Sequence, residues 1–282
     1  MSISPFNALT CPLDGVALQP SGQSWCCPSG HRFDVARQGY VNLLPVQRKR
    51  SLDPGDSKEM VAARQHFLEA GFYQPLARRI ALRLLADVSA ATGPLSCLDA
   101  GCGEGYYLRQ LTLAAAQGPD LVLAGLDISK WAVMAAARSS RQIRWIVGSN
   151  ARLPVPDASL DRLLCLFGFP VYAEFARVLR PGGLLLLADP APGHLLALRE
   201  IIYPEIRPPR EQPPAVPAGF VLQDNEALTY DIHLDSAGLI ADLLLMTPHM
   251  YRASAAGRAR LATLASLALT VDVRIACLRR EG

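Results

Sequence analysis

The stretch CLDAGCGEGYY, residues 97–107, constrains the fold of this chain more than any other. An apolar run ends in Asp99, and then Gly101, Gly103 and Gly105 occupy every second position before a helix-forming sequence begins. Glycines so placed allow the backbone to turn tightly and to approach a ligand closely. The order of strand, glycine-rich turn and helix therefore predicts an α/β fold with a ligand site at the turn.

Polar residues after the next two predicted strands indicate what this turn binds. The spacing Asp-x-Gly-x-Gly-x-Gly differs from the usual dinucleotide pattern. The following strand ends in Asp127, where a carboxylate can accept hydrogen bonds from both hydroxyls of a ribose. A polar turn with Asn150 and Ala151 follows the third strand and is expected near an adenine edge. The set predicts a cofactor that contains a nucleoside; the alternative is a set of turn glycines with a purely structural role.

Strands and helices alternate through most of the chain. Continuous apolar strands separated by helices are typical of a parallel sheet covered on both faces. The predicted strands are 95–100, 121–127, 143–147, 160–167, 183–189, 228–234 and 270–278. The predicted helices are 57–71, 74–88, 105–117, 129–139, 171–179, 194–202 and 236–245. The late elements suit a sheet with one antiparallel strand at its end.

Two late segments are predicted to lack regular structure. Residues 203–220 contain many prolines, which lack the backbone donor that helices and sheets need, so we expect a surface excursion or lid. The stretch MTPHMYRAS, residues 246–254, is predicted to be a loop between the last helix and the last strand.

The N-terminal part differs in composition from the rest. Residues 1–35 are rich in Cys, Pro, Gly and Ser and predict a small, loop-rich module. Residues 36–56 are predicted to be a linker, with a basic cluster at residues 48–50. The α/β domain is expected over residues 57–282.

The seven cysteines do not form a disulfide framework, because their number is odd and they are spread along the chain. Cys97, Cys102, Cys165 and Cys277 lie in apolar segments and are predicted to be buried. Only Cys11, Cys26 and Cys27 cluster in a polar, turn-rich region, and His31 follows them.

Composition places few limits on the partners. The net charge of +3 is too small to indicate nucleic acid by itself. The basic residues are mostly arginine, which suits phosphate contacts but equally reflects a GC-rich genome. Without a charged-then-apolar N-terminus or an apolar run long enough to span a bilayer, the expectation is a soluble cytoplasmic protein with no membrane partner.

Three stretches carry a resemblance to a known family. GHRFDVARQGYVNLLPVQRKRSLDPGDSKEM, FLEAGFYQPL and DAGCGEGYY resemble the bacterial 23S rRNA (guanine-N1-)-methyltransferases, over nearly the whole chain. The resemblance implies a Rossmann-like class I methyltransferase domain, with a mostly parallel seven-stranded sheet, preceded by a zinc-ribbon-like module. It further implies methyl transfer from S-adenosylmethionine to N1 of a guanine in a 23S rRNA hairpin loop, and it suggests a homodimer.

The same resemblance assigns cofactor residues. It implies that Tyr73 and His194 line the pocket, and that Gly103 and Glu104 contact the methionine end or the ribose. Taken alone, Tyr73 would be interpreted as a helix-packing aromatic and His194 as a polar residue near a helix start. The full predicted cofactor set is Tyr73, Asp99, Gly101, Gly103, Glu104, Asp127, Asn150, Ala151 and His194.

The metal prediction also follows the family pattern, Cys-x2-Cys followed by Cys-x3-His. This chain has Cys11, Asp14, Cys27 and His31 at those positions, with aspartate in place of the second cysteine. Structural zinc prefers four sulfur or nitrogen ligands, but carboxylate oxygen also binds it. We predict a zinc site of these four residues. Two alternatives stay open: Cys26 replaces Asp14, or the loop is metal-free and held by packing.

The turn after the fourth predicted strand departs from the family. Residues 166–175 have the sequence LFGFPVYAEF, where the family has Ala-Pro-Cys. The departure keeps two alternatives open, a small-molecule methyltransferase on the same scaffold and a non-catalytic RNA-binding relative. Candidates for the catalytic base are Glu174, Asp189 and His194, with none selected. Candidates for RNA contact are residues 48–50, residues 207–210, Phe167, Phe169, Tyr172, Tyr251 and Arg252.

Overall fold

The computed structural model describes residues 2–45, 53–88, 93–116, 118–206 and 216–282. The strands are β1 (Ile3–Pro5), β2 (Gln19–Ser21), β3 (Ser24–Cys26), β4 (Arg32–Asp34), β5 (Tyr40–Asn42), β6 (Leu95–Ala100), β7 (Leu121–Asp127), β8 (Arg144–Val147), β9 (Leu160–Leu166), β10 (Leu179–Pro190), β11 (Phe220–Leu234) and β12 (Leu267–Arg280). The helices are α1 (Lys58–Glu69), α2 (Gln74–Leu85), α3 (Tyr106–Ala114), α4 (Lys130–Ser139), α5 (Tyr172–Val178), α6 (Leu196–Ile202), α7 (Ala237–Leu245), α8 (His249–Arg252) and α9 (Ala255–Ala262).

The main sheet has the strand order β11-β12-β10-β9-β6-β7-β8-β5, and β1 lies beside β7. All neighbours are parallel except β12, which is antiparallel to β10 and to β11. The predicted class I fold, with one antiparallel strand near the end, is confirmed. The chain runs outward from β6 to β8 and then returns to β9 on the other side of β6. Ligands of such sheets bind at this reversal, beyond the carboxyl ends of the strands.

Both faces of the sheet are apolar, which follows from the uninterrupted hydrophobic strands. Along β10, Leu184 and Leu186 belong to one buried cluster, while Leu185 and Leu187 belong to the other. The first cluster includes buried residues of α1–α4, α6, α7 and α9. The second includes α5 and N-terminal residues such as Trp25. The N-terminal segment therefore covers much of the face that α5 leaves open.

The N-terminal segment also enters the main sheet. Residues 40–42 lie within the stretch predicted as linker, yet they form β5 and pair with β8. β1 pairs with the first half of β7. The seven predicted strands are all present, and these two extend the sheet to nine. Strands β2, β3 and β4 form a separate three-stranded sheet, and the basic cluster at residues 48–50 lies outside the described residues.

The structure differs from the sequence prediction in two places after α6. β11 begins at Phe220, eight residues before the predicted strand, because it pairs with β12 along its whole length. The predicted loop at 246–254 instead contains α8, and α9 follows it. The sequence does not predict α9, because Gly257 disfavours a helix. Packing explains the glycine, since a Cβ at this position would lie 2.4 Å from the carbonyl oxygen of Ile202. The proline-rich residues 207–215 lie outside the described part of the chain.

Among the helices of the described residues, none is both long enough and apolar enough to cross a bilayer.

Candidate cofactor and metal sites

The glycine loop lies between β6 and α3, at the point where the strand order reverses. Gly101, Gly103 and Gly105 have φ values of 105°, 55° and 83°, a region that favours glycine. A Cβ on Gly105 would lie 2.4 Å from the ring of Trp145, so the indole packs directly on the loop. A Cβ on Gly101 would meet nothing within 4 Å. Gly101 therefore faces open space into which a ligand can fit.

Three carboxylates surround the loop, and two of them have buried oxygens without a hydrogen-bond partner, although Glu104 Oε1 lies 3.6 Å from Arg109 Nη2. Asp99 is 1 % exposed and neither of its carboxylate oxygens has a hydrogen-bond partner. Glu104 is 2 % exposed, and its Oε1 has no hydrogen-bond partner either. Burial, with the charges of Asp127 and Glu104, raises the pKa of Asp99 to about 8. Buried acceptors without donors are rare in native proteins, so they mark a place where a ligand supplies the donors.

Asp127 and Asn150 lie at the ends of the neighbouring strands. The Asp127 carboxylate accepts the backbone N–H of Gly103 at 3.0 Å and that of Ser129 at 2.8 Å. Burial raises its pKa despite these bonds. The Asn150 amide donates to the carbonyl oxygen of Ala100 at 3.3 Å, and its own buried oxygen has no donor. Both side chains can take hydrogen bonds from a nucleoside, as the sequence predicts, whereas the neighbouring Ala151 is exposed.

Tyr73, at the start of α2, and His194, shortly before α6, are in contact with each other. The Tyr73 hydroxyl lies 3.3 Å from His194 Nε2, and His194 Nδ1 accepts the backbone N–H of Asp272 at 3.2 Å. Because Nδ1 accepts, Nε2 carries the proton and donates to the Tyr73 oxygen. Burial lowers the pKa of His194 to about 4, so the ring is neutral at pH 7. The Tyr73 hydroxyl proton is consequently free to point at a ligand.

Phe167 completes an aromatic cluster with these two residues. Its ring stacks on His194 at a centroid distance of 5.8 Å and meets Tyr73 edge-on at 6.1 Å. Phe167 directly follows β9 and has a φ of 53°, a strained conformation for a non-glycine residue. Strain of this kind persists where surrounding structure enforces it, often at ligand sites. Two residues later, Phe169 is 89 % exposed.

Residues 54–56, just before α1, lie on the ribose side of the site. The sequence indicates this segment only as a Pro-Gly turn. Gly55 packs so tightly on Ile128 and Ser129 that a Cβ would lie 2.9 Å from both. The Ser129 hydroxyl donates to the carbonyl oxygen of Asp56 at 2.7 Å. The segment therefore lies against the turn that carries Asp127.

The donor and acceptor pattern of this site fits S-adenosylmethionine. Its ammonium and sulfonium groups are cationic and are attracted by the nearby carboxylates. Its ribose hydroxyls donate hydrogen bonds, which the oxygens without partners can accept. Asp99, Glu104 and Asn150 offer buried acceptors, while Asp127 lies at the carboxyl end of β7, where such sheets bind ribose. The open space at Gly101 admits the ligand close to the backbone.

Two of the three candidates for the catalytic base are occupied elsewhere. Glu174 accepts the backbone N–H of Leu153 at 2.8 Å and forms an ion pair with Arg177, so it stabilises the start of α5. His194 is neutral, and both of its ring nitrogens have partners. Asp189 lies at the carboxyl end of β10 beside the turn that follows β9; it is exposed to solvent, and partial burial raises its pKa. The geometry favours Asp189.

The four predicted metal ligands lie together. Their ligand atoms are all within 4.8 Å of one another. His31 Nδ1 is 3.0 Å from Asp14 Oδ2, 3.3 Å from Cys27 Sγ and 3.5 Å from Cys11 Sγ. Zinc bonds of about 2.0–2.3 Å in a tetrahedron place the ligand atoms about 3.3–3.8 Å apart. The cluster therefore fits a four-coordinate zinc ion with only small adjustments.

Asp14 lies in this cluster at the position where the family pattern has its second cysteine, and Cys26 is not in the cluster. The backbone N–H of Val16 donates to Asp14 Oδ1 at 3.0 Å and is the largest cause that lowers the pKa of Asp14. Its other oxygen lies 3.3 Å from the Cys27 sulfur. One oxygen is thus held by the backbone while the other faces the cluster, as expected for a carboxylate that binds through a single oxygen.

Contacts other than the metal ligands also hold the module on the sheet. The Thr10 N–H donates to the carbonyl oxygen of Pro154 at 2.9 Å. The Arg144 guanidinium lies 5.1 Å above the Trp25 ring and donates to the Asn7 oxygen at 2.6 Å. Cys11 and Cys27 themselves belong to the apolar cluster between module and sheet.

Only part of the predicted RNA-binding set can be placed. Phe169 and Tyr251 are 89 % and 75 % exposed, and Phe167 is 38 % exposed. Tyr172 is half-buried and stacks edge-on to Phe220 at 6.5 Å. The basic residues 48–50 and 207–210 lie outside the described parts of the chain.

Comparison with known proteins identifies relatives of both parts of the chain. A zinc-ribbon family profile described as the RlmA N-terminal domain matches residues 9–52, and a methyltransferase-domain profile matches residues 98–187. The Bacillus subtilis protein YxjB, provisionally named a 23S rRNA (guanine-N(1)-)-methyltransferase, is 34 % identical over 201 residues, 70 % of each chain. A Micromonospora griseorubida protein with the same provisional name is 37 % identical over 67 % of this chain and 68 % of its own. The 23S rRNA (guanine(748)-N(1))-methyltransferase of Streptomyces fradiae is 38 % identical over 67 % and 66 %.

Proposed function

This chain belongs to the bacterial 23S rRNA (guanine-N1-)-methyltransferases, and we propose that it transfers a methyl group from S-adenosylmethionine to N1 of a guanine in a 23S rRNA hairpin loop. One observation in the structure supports this most directly: buried acceptors without donors surround a glycine loop at the strand-order reversal. A chain that had lost cofactor binding would gain nothing from keeping buried acids unpaired, since each costs stability.

The chemistry requires orientation and removal of one proton. The cofactor supplies a methyl group on a positively charged sulfur, which the guanine nitrogen attacks in line. Guanine N1 carries a proton at neutral pH, so a base must accept it as the N–C bond forms and the C–S bond breaks. We assign this proton to Asp189, which lies at the carboxyl end of β10 and whose pKa is raised by partial burial, so that it is a stronger base than an ordinary carboxylate.

The aromatic cluster would position the base. Enzymes that modify a base hold it outside the helical stack, between aromatic or apolar side chains. Phe167 lies between the β9 end and His194, with Asp189 on the adjacent strand. The exposed Phe169 ring next to it is placed to stack on a nucleotide that enters the site. Tyr73, held by His194, would direct its hydroxyl proton toward the bound ligand.

We also propose that Cys11, Asp14, Cys27 and His31 bind zinc. The ion would have a structural role, joining the loop before β2 to the loop between β3 and β4. Metal analysis of the purified protein tests this, with about one zinc per chain expected.

We propose a homodimer on the basis of the family likeness. Light scattering after size exclusion measures the molar mass and so tests this proposal. Because the proposed substrate is ribosomal RNA, we expect the protein to act in the cytoplasm.

The decisive experiment is methyl transfer from labelled S-adenosylmethionine to unmodified 23S rRNA, followed by mapping of the modified nucleoside. We expect the label in N1-methylguanine at one site. Label in a small-molecule extract but not in rRNA would favour the small-molecule alternative. Cofactor binding without transfer to either would contradict the proposed activity, and absence of cofactor binding would favour a non-catalytic RNA-binding relative.

A further inference from the structure

A largely buried arginine lies at the glycine loop, outside the set of cofactor residues described above. Arg64 projects from α1, and its side chain is 24 % exposed. Its Nη1 and Cδ atoms lie 3.7 Å from the point that a Cβ on Gly103 would occupy. Arg64 is therefore in contact with the part of the loop predicted to bind the cofactor.

Acidic groups surround the Arg64 guanidinium. It forms an ion pair with Asp56, and the carboxylates of Glu104 and Asp127 are close enough to act on its charge. Burial alone would lower the pKa of Arg64, but these three acids outweigh burial and raise it. The side chain is consequently a fixed positive charge inside an otherwise acidic cleft.

One backbone hydrogen bond and the ion pair with Asp56 fix the position of this charge. Arg64 Nη2 donates to the carbonyl oxygen of Met246 at 3.0 Å, at the end of α7. Asp56 lies just before α1, in the segment that packs on Ser129. A guanidinium has five donors in a planar fork, so these contacts leave donors for another acceptor. Because the side chain is already immobilised, binding such an acceptor costs little conformational entropy.

A ligand carboxylate can bind in this acidic cleft only beside a positive charge, which Arg64 supplies. If the ligand of this cleft is S-adenosylmethionine, as the proposed function requires, it carries a carboxylate on its methionine end as well as two cationic groups. The carboxylates of Glu104 and Asp127 attract the cationic groups, but they repel that carboxylate. We propose that Arg64 binds the methionine carboxylate of S-adenosylmethionine and thereby selects ligands that carry an intact amino-acid group.

A purely structural role for Arg64 would have a different consequence. If Arg64 only joined α1 to α7 and to Asp56, its loss would loosen the cleft and weaken all ligands by the same factor. A carboxylate-binding role predicts a loss limited to ligands with that carboxylate. Decarboxylated S-adenosylmethionine differs from the cofactor by this one group, so the pair of ligands separates the two roles.

The test is calorimetric titration of both ligands into the wild type and into Arg64→Gln, with folding checked by thermal unfolding. A charge-assisted, two-point hydrogen bond corresponds to a preference of roughly 10- to 100-fold for the carboxylated ligand in the wild type. We expect Arg64→Gln to lose this preference, because affinity for the carboxylated ligand falls at least roughly 10- to 100-fold while affinity for the decarboxylated one does not fall. Arg64→Lys should retain part of the preference, because the charge remains while the fork is lost.

Arg109→Gln is the matched control. Arg109 donates to the Glu104 carbonyl oxygen at 2.6 Å and pairs with the Glu104 carboxylate at 3.6 Å, so it supports the same loop and carries the same charge as Arg64. This variant should keep the wild-type preference even if both affinities fall. An undiminished preference in Arg64→Gln, or an equal loss for both ligands, would overturn the inference. If the wild type binds neither ligand, the proposed function fails instead.

Discussion

Two loop glycines should respond in opposite ways to the same added methyl group. Gly105→Ala places a Cβ 2.4 Å from the Trp145 ring at a φ of 83°. The left-handed backbone costs about 1–2 kcal/mol, and overpacking adds about 1–3 kcal/mol. Gly101→Ala carries the backbone cost alone, because its Cβ would meet no protein atom within 4 Å. The free energy of unfolding should therefore fall by about 2–5 kcal/mol for Gly105→Ala and by about 1–2 kcal/mol for Gly101→Ala.

Cofactor affinity should show the reverse order among the folded molecules. The Cβ at Gly101 enters the space proposed for the ligand, where an overpacking cost of about 1–3 kcal/mol corresponds to a loss of roughly 5- to 150-fold. The Cβ at Gly105 points into Trp145 instead. Denaturant unfolding gives the first quantity, and calorimetric titration of S-adenosylmethionine below the unfolding transition gives the second.

Gly22→Ala provides the control for backbone strain. Gly22 lies between β2 and β3 and has a φ of 61°, and a Cβ added to it would meet no atom within 4 Å. This variant should lose about 1–2 kcal/mol of stability with unchanged cofactor affinity. The reasoning is refuted if Gly101→Ala binds the cofactor as tightly as the wild type, or if it destabilises the fold as much as Gly105→Ala.

Three further predictions concern the other groups. Cys27→Ser should lower the zinc content measured by atomic absorption, whereas Cys26→Ser should leave it unchanged; equal losses would contradict the assigned ligand set. Asp189→Asn should lower the methyl-transfer rate about 10²- to 10⁴-fold while calorimetry shows unchanged cofactor affinity, and a wild-type rate would exclude this residue as the base. His194 has a folded-state pKa of about 4 against an ordinary 6.5, so the unfolded chain binds its proton first as pH falls. Stability should therefore decline between about pH 6.5 and 4, by up to about 3 kcal/mol from this group. His194→Gln should show a shallower decline in urea titrations over this range; an unchanged slope would contradict the burial argument.

Sequence reasoning predicted the features that depend on local pattern. The glycine loop and the ends of β6 and β7 follow from apolar runs and from turn glycines, and the structure agrees with them to the residue. The family likeness located the four-residue cluster, including Asp14, because a ligand pattern fixes spacing even when one residue type changes.

Features that depend on distant contacts were not predictable in the same way. Gly257 disfavours a helix locally, yet α9 forms because its backbone packs against Ile202. Glu174 had the right chemistry for a base, but its partners Leu153 and Arg177 occupy it. The charge of Arg64 gave no sign that it would lie against Gly103, since nothing in the sequence around it distinguishes a cleft from a solvated helix face.

The two strands that join the N-terminal segment to the main sheet have a consequence for synthesis on the ribosome. β1 and β5 are made early, but their partners β7 and β8 are complete only at residue 147. Roughly 100 residues must therefore be added after β5 before pairing, a delay of about 5–20 s at bacterial elongation rates. During that interval the Cys11 and Cys27 thiols are present without the sheet that later buries them. The proposed zinc ion, bound by the nascent segment during that interval, would protect both thiols from oxidation before β8 emerges.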